Sequence, residues 1–100
     1  MKVYGFKEAE EGIMELDNTP EAVMSFVKGH IMKAGITDEL CIVYTEHTIC
    51  EETKPNVAWI DNGEAVDVIF GNCFVCRFIG NNFIDIEESD IPVIKKILKK

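Results

Sequence analysis

Two stretches of this chain are β-prone and apolar on both alternating faces, and that restricts the fold more than any other feature. Leu40-Cys41-Ile42-Val43-Tyr44-Thr45 is β-branched, aromatic or aliphatic throughout. In Cys73–Ile79, residues Phe74, Cys76 and Phe78 share one face, while Cys73, Val75, Arg77 and Ile79 share the other. A strand with two apolar faces needs a covering layer on each side. A chain of 100 residues builds one domain around one core, so residues 1–100 form a single domain. The covering layers must come from this chain or from a second copy of it.

The remaining segments supply both layers and turns. Residues 1–7 and 12–17 read as two strands around Glu10-Glu11-Gly12. Asn18-Thr19-Pro20-Glu21 is a helix start: Thr19 or Asn18 caps, Pro20 suits the first turn, and Glu21 favours the positive dipole end. Ala22, Val23, Phe26 and Val27 form its apolar stripe, and Gly29 is the expected stop. Residues 31–36 read as a short strand, and Ile49–Glu52 as a partner of 40–45 across Glu46-His47-Thr48. Val57–Ile60 ends at the turn signal Asp61-Asn62-Gly63, and Val66, Val68 and Phe70 share one strand face. Gly71-Asn72 then permits a tight hairpin or a bulge before residues 73–79. Gly80-Asn81-Asn82 turns the chain into Phe83–Ile86, and a closing helix starts near Asp90 with Ile91, Ile94, Ile97 and Leu98 on one side. No βαβ alternation occurs. The expected class is α+β, a mainly antiparallel sheet of six or seven short strands with two helices packed on it.

Charge narrows the partners. Eighteen acids against ten bases give a net charge of −8, and four of the ten bases are lysines within the last six residues. Those lysines suit the end of the closing helix. Phosphate backbones demand clustered Lys and Arg, so direct nucleic-acid binding is disfavoured. A basic protein surface is the more natural partner, met by Glu8, Glu10, Glu11, Glu51, Glu52, Glu87 and Glu88. No apolar run approaches the length of a membrane span, and Met1-Lys2-Val3-Tyr4-Gly5-Phe6-Lys7-Glu8 turns acidic where a signal peptide needs its apolar stretch. The expected setting is cytoplasmic, without membrane contact.

No residue cluster commits to catalysis. Phosphate-binding glycine loops, nucleophile elbows and paired histidines are missing from the sequence, and no cofactor is implied. His47-x-x-Cys50 followed by Cys73-x-x-Cys76 mimics a zinc pattern, but residues three apart in a strand point to opposite faces. Buried free thiols are the expected state of Cys41, Cys50, Cys73 and Cys76, with a metal or thiol enzyme as a lesser alternative. A small-molecule reading, such as sequestration of a nucleotide signal, needs a stacking aromatic and donors; Trp59, Asn56, Arg77 and Asn72 are the available parts. Asp67 lies inside an otherwise apolar strand, where exposure is the expectation and burial would require a donor such as Asn56.

Lys54-Pro55-Asn56-Val57-Ala58, Asp61, the run Val66–Phe74 and Phe83 together resemble small bacterial and phage proteins grouped as domain of unknown function family 3846. Met1-Lys2-Val3, Ile13 to Asp17 and the short helix ending near Gly29-His30-Ile31 extend the resemblance over nearly the whole chain. The chain departs from that pattern at Cys73 and Cys76, and at Val57, where a basic residue is usual. The resemblance implies no established activity and no catalytic residues. It implies an accessory protein of a phage or conjugative element in a bacterial host. Anti-restriction or anti-CRISPR inhibition by occupying a basic surface is then the leading expectation. A homodimer through the Cys73, Val75, Arg77 and Ile79 face, or through an edge strand, is a further one.

Overall fold

The computed structural model describes residues 1–8, 10–46 and 55–100. The expected partner strand Ile49–Glu52, with His47, Cys50, Glu51 and Glu52, lies outside the described residues. The elements run β1 (Lys2–Lys7), β2 (Glu10–Glu15), α1 (Pro20–Val27), β3 (Met32–Gly35) and β4 (Leu40–Tyr44). Then follow β5 (Pro55–Asp61), β6 (Glu64–Phe70), β7 (Cys73–Ile79), β8 (Asn82–Ile84), α2 (Asp90–Ile97) and β9 (Leu98–Lys99). The fold is α+β, and every strand pairing among the described residues is antiparallel.

The strands divide into two sheets where the sequence suggested one. The larger runs β2-β1-β7-β4-β3, with β8 also pairing β7; the smaller runs β6-β5-β9. Gly71-Asn72 is therefore neither a hairpin turn nor a bulge. It is the corner at which the chain leaves the small sheet for the large one, and Gly71 makes it with a φ of 77° that L side chains avoid. The closing helix likewise ends one residue early. Leu98 turns extended and pairs Trp59, adding β9 to the small sheet.

Strand β7 occupies the middle of the large sheet, and both of its faces are covered as its composition demands. Phe74 packs edge-on against Phe26 of α1 with ring centroids 5.4 Å apart, which places α1 on the even-numbered face. Arg77 reaches Asp90 at the start of α2, which places α2 on the odd-numbered face. Cys73, Phe74, Val75 and Cys76 are fully buried. On the odd-numbered face, which the sequence left to the second helix or to another copy, Cys73 and Val75 are buried within the chain and Ile79 stays open, at 64 % exposure.

Helix α1 starts and stops for local reasons. Thr19 caps it by accepting the Ala22 N–H at 3.1 Å, as its position suggested. Its left-handed cap is Lys28, with φ 62°, and not Gly29. Gly29 is needed for a different reason: a Cβ there would lie 2.5 Å from the Thr45 hydroxyl oxygen. Among the described residues, no helix is long and apolar enough to cross a membrane.

Candidate functional site

Two sequence candidates, Asn56 and Asn72, meet at the Gly71 corner. The register of β5 against β6 slips between Pro55 and Val57, so Asn56 is the extra residue of a bulge. A bulge re-aims its side chain. The Asn56 amide donates to the Phe6 carbonyl at 3.0 Å and to the Gly71 carbonyl at 2.7 Å. Two carbonyl acceptors fix which end of that amide is nitrogen. Its Oδ1 is buried and has no partner among the described residues. Asn72 donates to the Phe26 carbonyl at 3.1 Å, near the end of α1. These two amides fasten the small sheet and α1 to the large sheet.

Arg77 is engaged in the same internal manner. Its guanidinium grips Asp90 through two parallel bonds, Nε to Oδ2 at 2.8 Å and Nη2 to Oδ1 at 2.9 Å. Nη1 donates to Glu39 at 2.9 Å, and Glu87 stands 3.4 Å from Nη2. The Glu87 N–H donates to Asp90 as well, at 2.8 Å. Burial pushes the Asp90 carboxyl up, but the Arg77 hydrogen bonds, the Glu87 N–H and the Arg77 charge together hold it below the ordinary carboxylate value. Hydrogen bonding to Asp90 raises Arg77 in turn.

Trp59 and Asp67 form a cross-strand pair in the small sheet. Asp67 is exposed as expected, and it accepts the N–H of its own neighbour Val68 at 2.8 Å. Asn56 does not touch that carboxylate; its amide nitrogen serves Phe6 and Gly71 instead. Strand β6 is the free edge of the small sheet, so that carboxylate occupies a backbone donor that edge pairing would need. Val66 falls in a second register slip, between Trp59 and Ile60 on the partner strand, and is 59 % exposed. Val68 is 39 % exposed. The hairpin turn at Asn62 and Gly63 uses positive φ at both residues, the geometry that suits a two-residue connection. Residues 55–72 hold Asp61, Glu64 and Asp67 and no basic side chain. The β5–β6 hairpin thus exposes Val66 and Val68 and carries acids without a base of its own, while Lys99 of β9 joins Ala58 and Val68 in one cross-strand row.

The structure keeps the sequence candidates in three places. Asn56 and Asn72 lie at the corner, and Trp59 with Asp67 lie along the hairpin. Arg77 is five positions along from Asn72, roughly 16 Å in an extended strand. The exposed surface of Val66 and Val68 was missed in the sequence because a strand face does not reveal which side is covered. Glu8, Glu10, Glu11, Glu87 and Glu88 are exposed. Glu11 also accepts the Tyr4 hydroxyl at 2.8 Å; burial and that Glu11 contact push the Tyr4 phenol up to about 12. A groove of about 380 Å³ between β2 and α1 is lined by Glu15, Leu16, Asp17, Ala22, Ser25 and Phe26. Its charged groups are both acidic, which suits no anionic ligand. Among the described residues, no cluster of His, Cys, Asp and Glu is arranged to hold a metal ion.

Comparison with known proteins adds one assignment. No curated protein and no solved structure matches the chain. The chain belongs to the family described as Domain of unknown function (DUF3846), whose model matches residues 1–99.

Proposed function

We propose that this chain is a non-enzymatic binding protein whose β5–β6 hairpin docks on a basic protein surface. The observation that carries the reading is the hairpin itself: Val66 and Val68 are exposed, residues 55–72 hold three acids and no base, and, among the described residues, Lys99 of β9 is the one base that the register brings into the row of Val68. Exposed apolar area supplies affinity, and carboxylates around it select a partner of opposite charge and speed its approach. The edge of β6 is blunted by the Val66 bulge and by the Asp67 carboxylate on the Val68 N–H. The partner therefore packs on side chains and does not extend the sheet. A nucleic-acid groove of a defence nuclease has the required chemistry, so inhibition of such an enzyme by a mobile-element accessory protein is the specific form of the proposal.

The nucleotide-binding alternative loses its donors. Asn56 gives both amide hydrogens to backbone carbonyls, Asn72 gives one, and Arg77 gives its own to carboxylates. The test is calorimetric titration of the chain into purified restriction and CRISPR effector nucleases at low and high salt. Binding to one of them should weaken at least tenfold at high salt, and tenfold or more in the Glu64→Lys/Asp67→Lys variant. Equal binding by that variant, or binding indifferent to salt, overturns the hairpin reading. Silence across the panel overturns the defence-nuclease form.

A further inference from the structure

Cys41 of β4 and Cys76 of β7 are direct antiparallel partners, and their sulfurs lie 3.9 Å apart in a thiol–thiol hydrogen bond. Residues opposed in this way have Cα atoms about 4.5–5.5 Å apart, inside the span that a disulfide bridges. Closing the sulfurs from 3.9 Å to about 2.05 Å brings two side chains that already face each other across paired strands into bonding distance. Cys73 lies on the same strand, but three positions away and on the opposite face, so it cannot compete for either sulfur. Along the sequence, Cys73-x-x-Cys76 looks like the pair; across the sheet, the partner of Cys76 is Cys41.

We propose that Cys41 and Cys76 form a redox-modification site, an intrachain dithiol that hydrogen peroxide converts to a disulfide. The surroundings assign the roles. Both residues are buried, Cys41 at 4 % exposure and Cys76 at none, so Cys41 is the less enclosed of the two. The Cys76 hydrogen bond lowers Cys41 against the effect of burial, and the Lys33 ammonium lowers it further. Lys33 is held in that region by its ammonium over the Phe78 ring, 4.0 Å from the centroid. Cys76 is raised, through the same hydrogen bond and through burial.

The chemistry balances with the peroxide alone. The Cys41 thiolate attacks one peroxide oxygen, the O–O bond breaks, and the departing oxygen leaves as water after taking the proton lost by Cys41. Cys41 is then a sulfenic acid. The Cys76 sulfur attacks the Cys41 sulfur, the S–O bond breaks, and the leaving hydroxide takes the Cys76 proton to become a second water. Two thiols are oxidised by two electrons and one peroxide is reduced to two waters. The new bond joins residues 35 positions apart and encloses the whole of β5 and β6. This inference stands whether or not the hairpin binds a protein.

The experiment is treatment of the folded full chain with hydrogen peroxide, alkylation of free thiols, and digestion without reduction. A Cys41–Cys76 linked peptide that dithiothreitol releases is expected, with Cys73 recovered alkylated only after unfolding. The oxidised chain should melt roughly 10 °C higher, because the cross-link restricts the unfolded chain. Recovery of Cys41 and Cys76 as free thiols, a link through Cys73 or Cys50, or Cys41 driven to sulfinic acid beside a free Cys76 overturns the proposal. The Cys50→Ala/Cys73→Ala variant retains only the pair and must give the same linked peptide. If that variant yields no link, the proposal also fails.

Discussion

Strands β6 and β7 have the same length, seven residues, and only Gly71 and Asn72 separate them, yet one is a surface and the other a core. Strand β7 is paired along both edges, by β1 and β8 on one side and β4 on the other, with Phe26 of α1 against one face and Asp90 of α2 bonded to Arg77 on the other. Strand β6 is paired only by β5, and Ile69 is its one buried residue. Both are β-prone runs of similar apolar content, so composition does not separate them. What separates them is charge placement. Asp67 interrupts β6 on an exposed position, whereas the single charge of β7, Arg77, finds four polar contacts among Glu39, Glu87 and Asp90. A charged side chain with assembled partners is compatible with a covered strand; one without them marks a free surface.

The largest expected effect breaks or confirms that contrast directly. Phe74→Ala removes a fully buried ring that meets Phe26, and should cost about 3–5 kcal/mol. Val68→Ala, on the open face of the neighbouring strand, should change stability by no more than about 0.5 kcal/mol. Urea denaturation of the two variants measures both. Similar costs would mean that the hairpin face is covered, by another copy of the chain or otherwise.

Asn56 comes next, because it joins the two regions. Asn56→Ala leaves the Phe6 and Gly71 carbonyls without their donor, and the expected cost is about 1–2 kcal/mol. Asn56→Asp should cost more, since a carboxylate would replace an N–H facing two carbonyl oxygens, and its deficit should shrink in acid as the carboxyl protonates. An unchanged denaturation midpoint for the alanine variant would show that the two sheets hold together without this amide.

Stability should also fall at both ends of the pH scale, for different reasons in different places. Asp90 is held below its ordinary value of 3.8 in the fold. Its contribution is therefore complete above 3.8 and disappears as pH drops through the lowered folded value. Burial pushes the Cys73 thiol from 9.0 up to about 12, against a smaller opposing pull from Lys100. Tyr4 rises from 10.0 to about 12. The fold keeps those protons while the unfolded chain releases them, so stability declines as pH rises from 9 towards 12. Denaturation midpoints across pH measure both limbs. Glu11→Gln should soften the alkaline limb, because part of the Tyr4 shift comes from the Glu11 carboxylate.

The sequence disclosed the elements better than their assembly. Thr19, Pro20 and the stripe of α1 act through neighbours within one turn, so local spacing was enough to find them. The double-faced burial of residues 40–43 and 73–76 was equally legible, because period-two alternation needs no knowledge of the partner. The division into two sheets was not. Gly71-Asn72 fits a hairpin, a bulge or a corner, and only the long-range bonds of Asn56 and Asn72 decide among them. The candidate site suffered the same limit. Asn56, Asn72 and Arg77 carry groups that bind ligands in general, and nothing local revealed that backbone carbonyls and carboxylates inside the chain already engage them.

The smallest expected change in stability carries the sharpest test of the edge. Asp67→Ala removes an exposed carboxylate whose hydrogen bond to the Val68 N–H water can replace, so the denaturation midpoint should move by no more than about 0.5 kcal/mol equivalent. Association should change more than folding does. The variant uncovers a backbone donor on the free edge of β6 and removes one of the three acids of the hairpin, beside an already exposed Val66 and Val68. Edge strands without a charge or a blocked donor recruit other strands. Light scattering should therefore show the variant self-associating at concentrations where the parent chain does not. Adding back charge without the hydrogen bond, as in Asp67→Lys, should restore dispersion if repulsion is what protects the edge. If Asp67→Lys associates like the alanine variant, the protection comes from the occupied Val68 N–H, and the carboxylate guards the edge through its geometry.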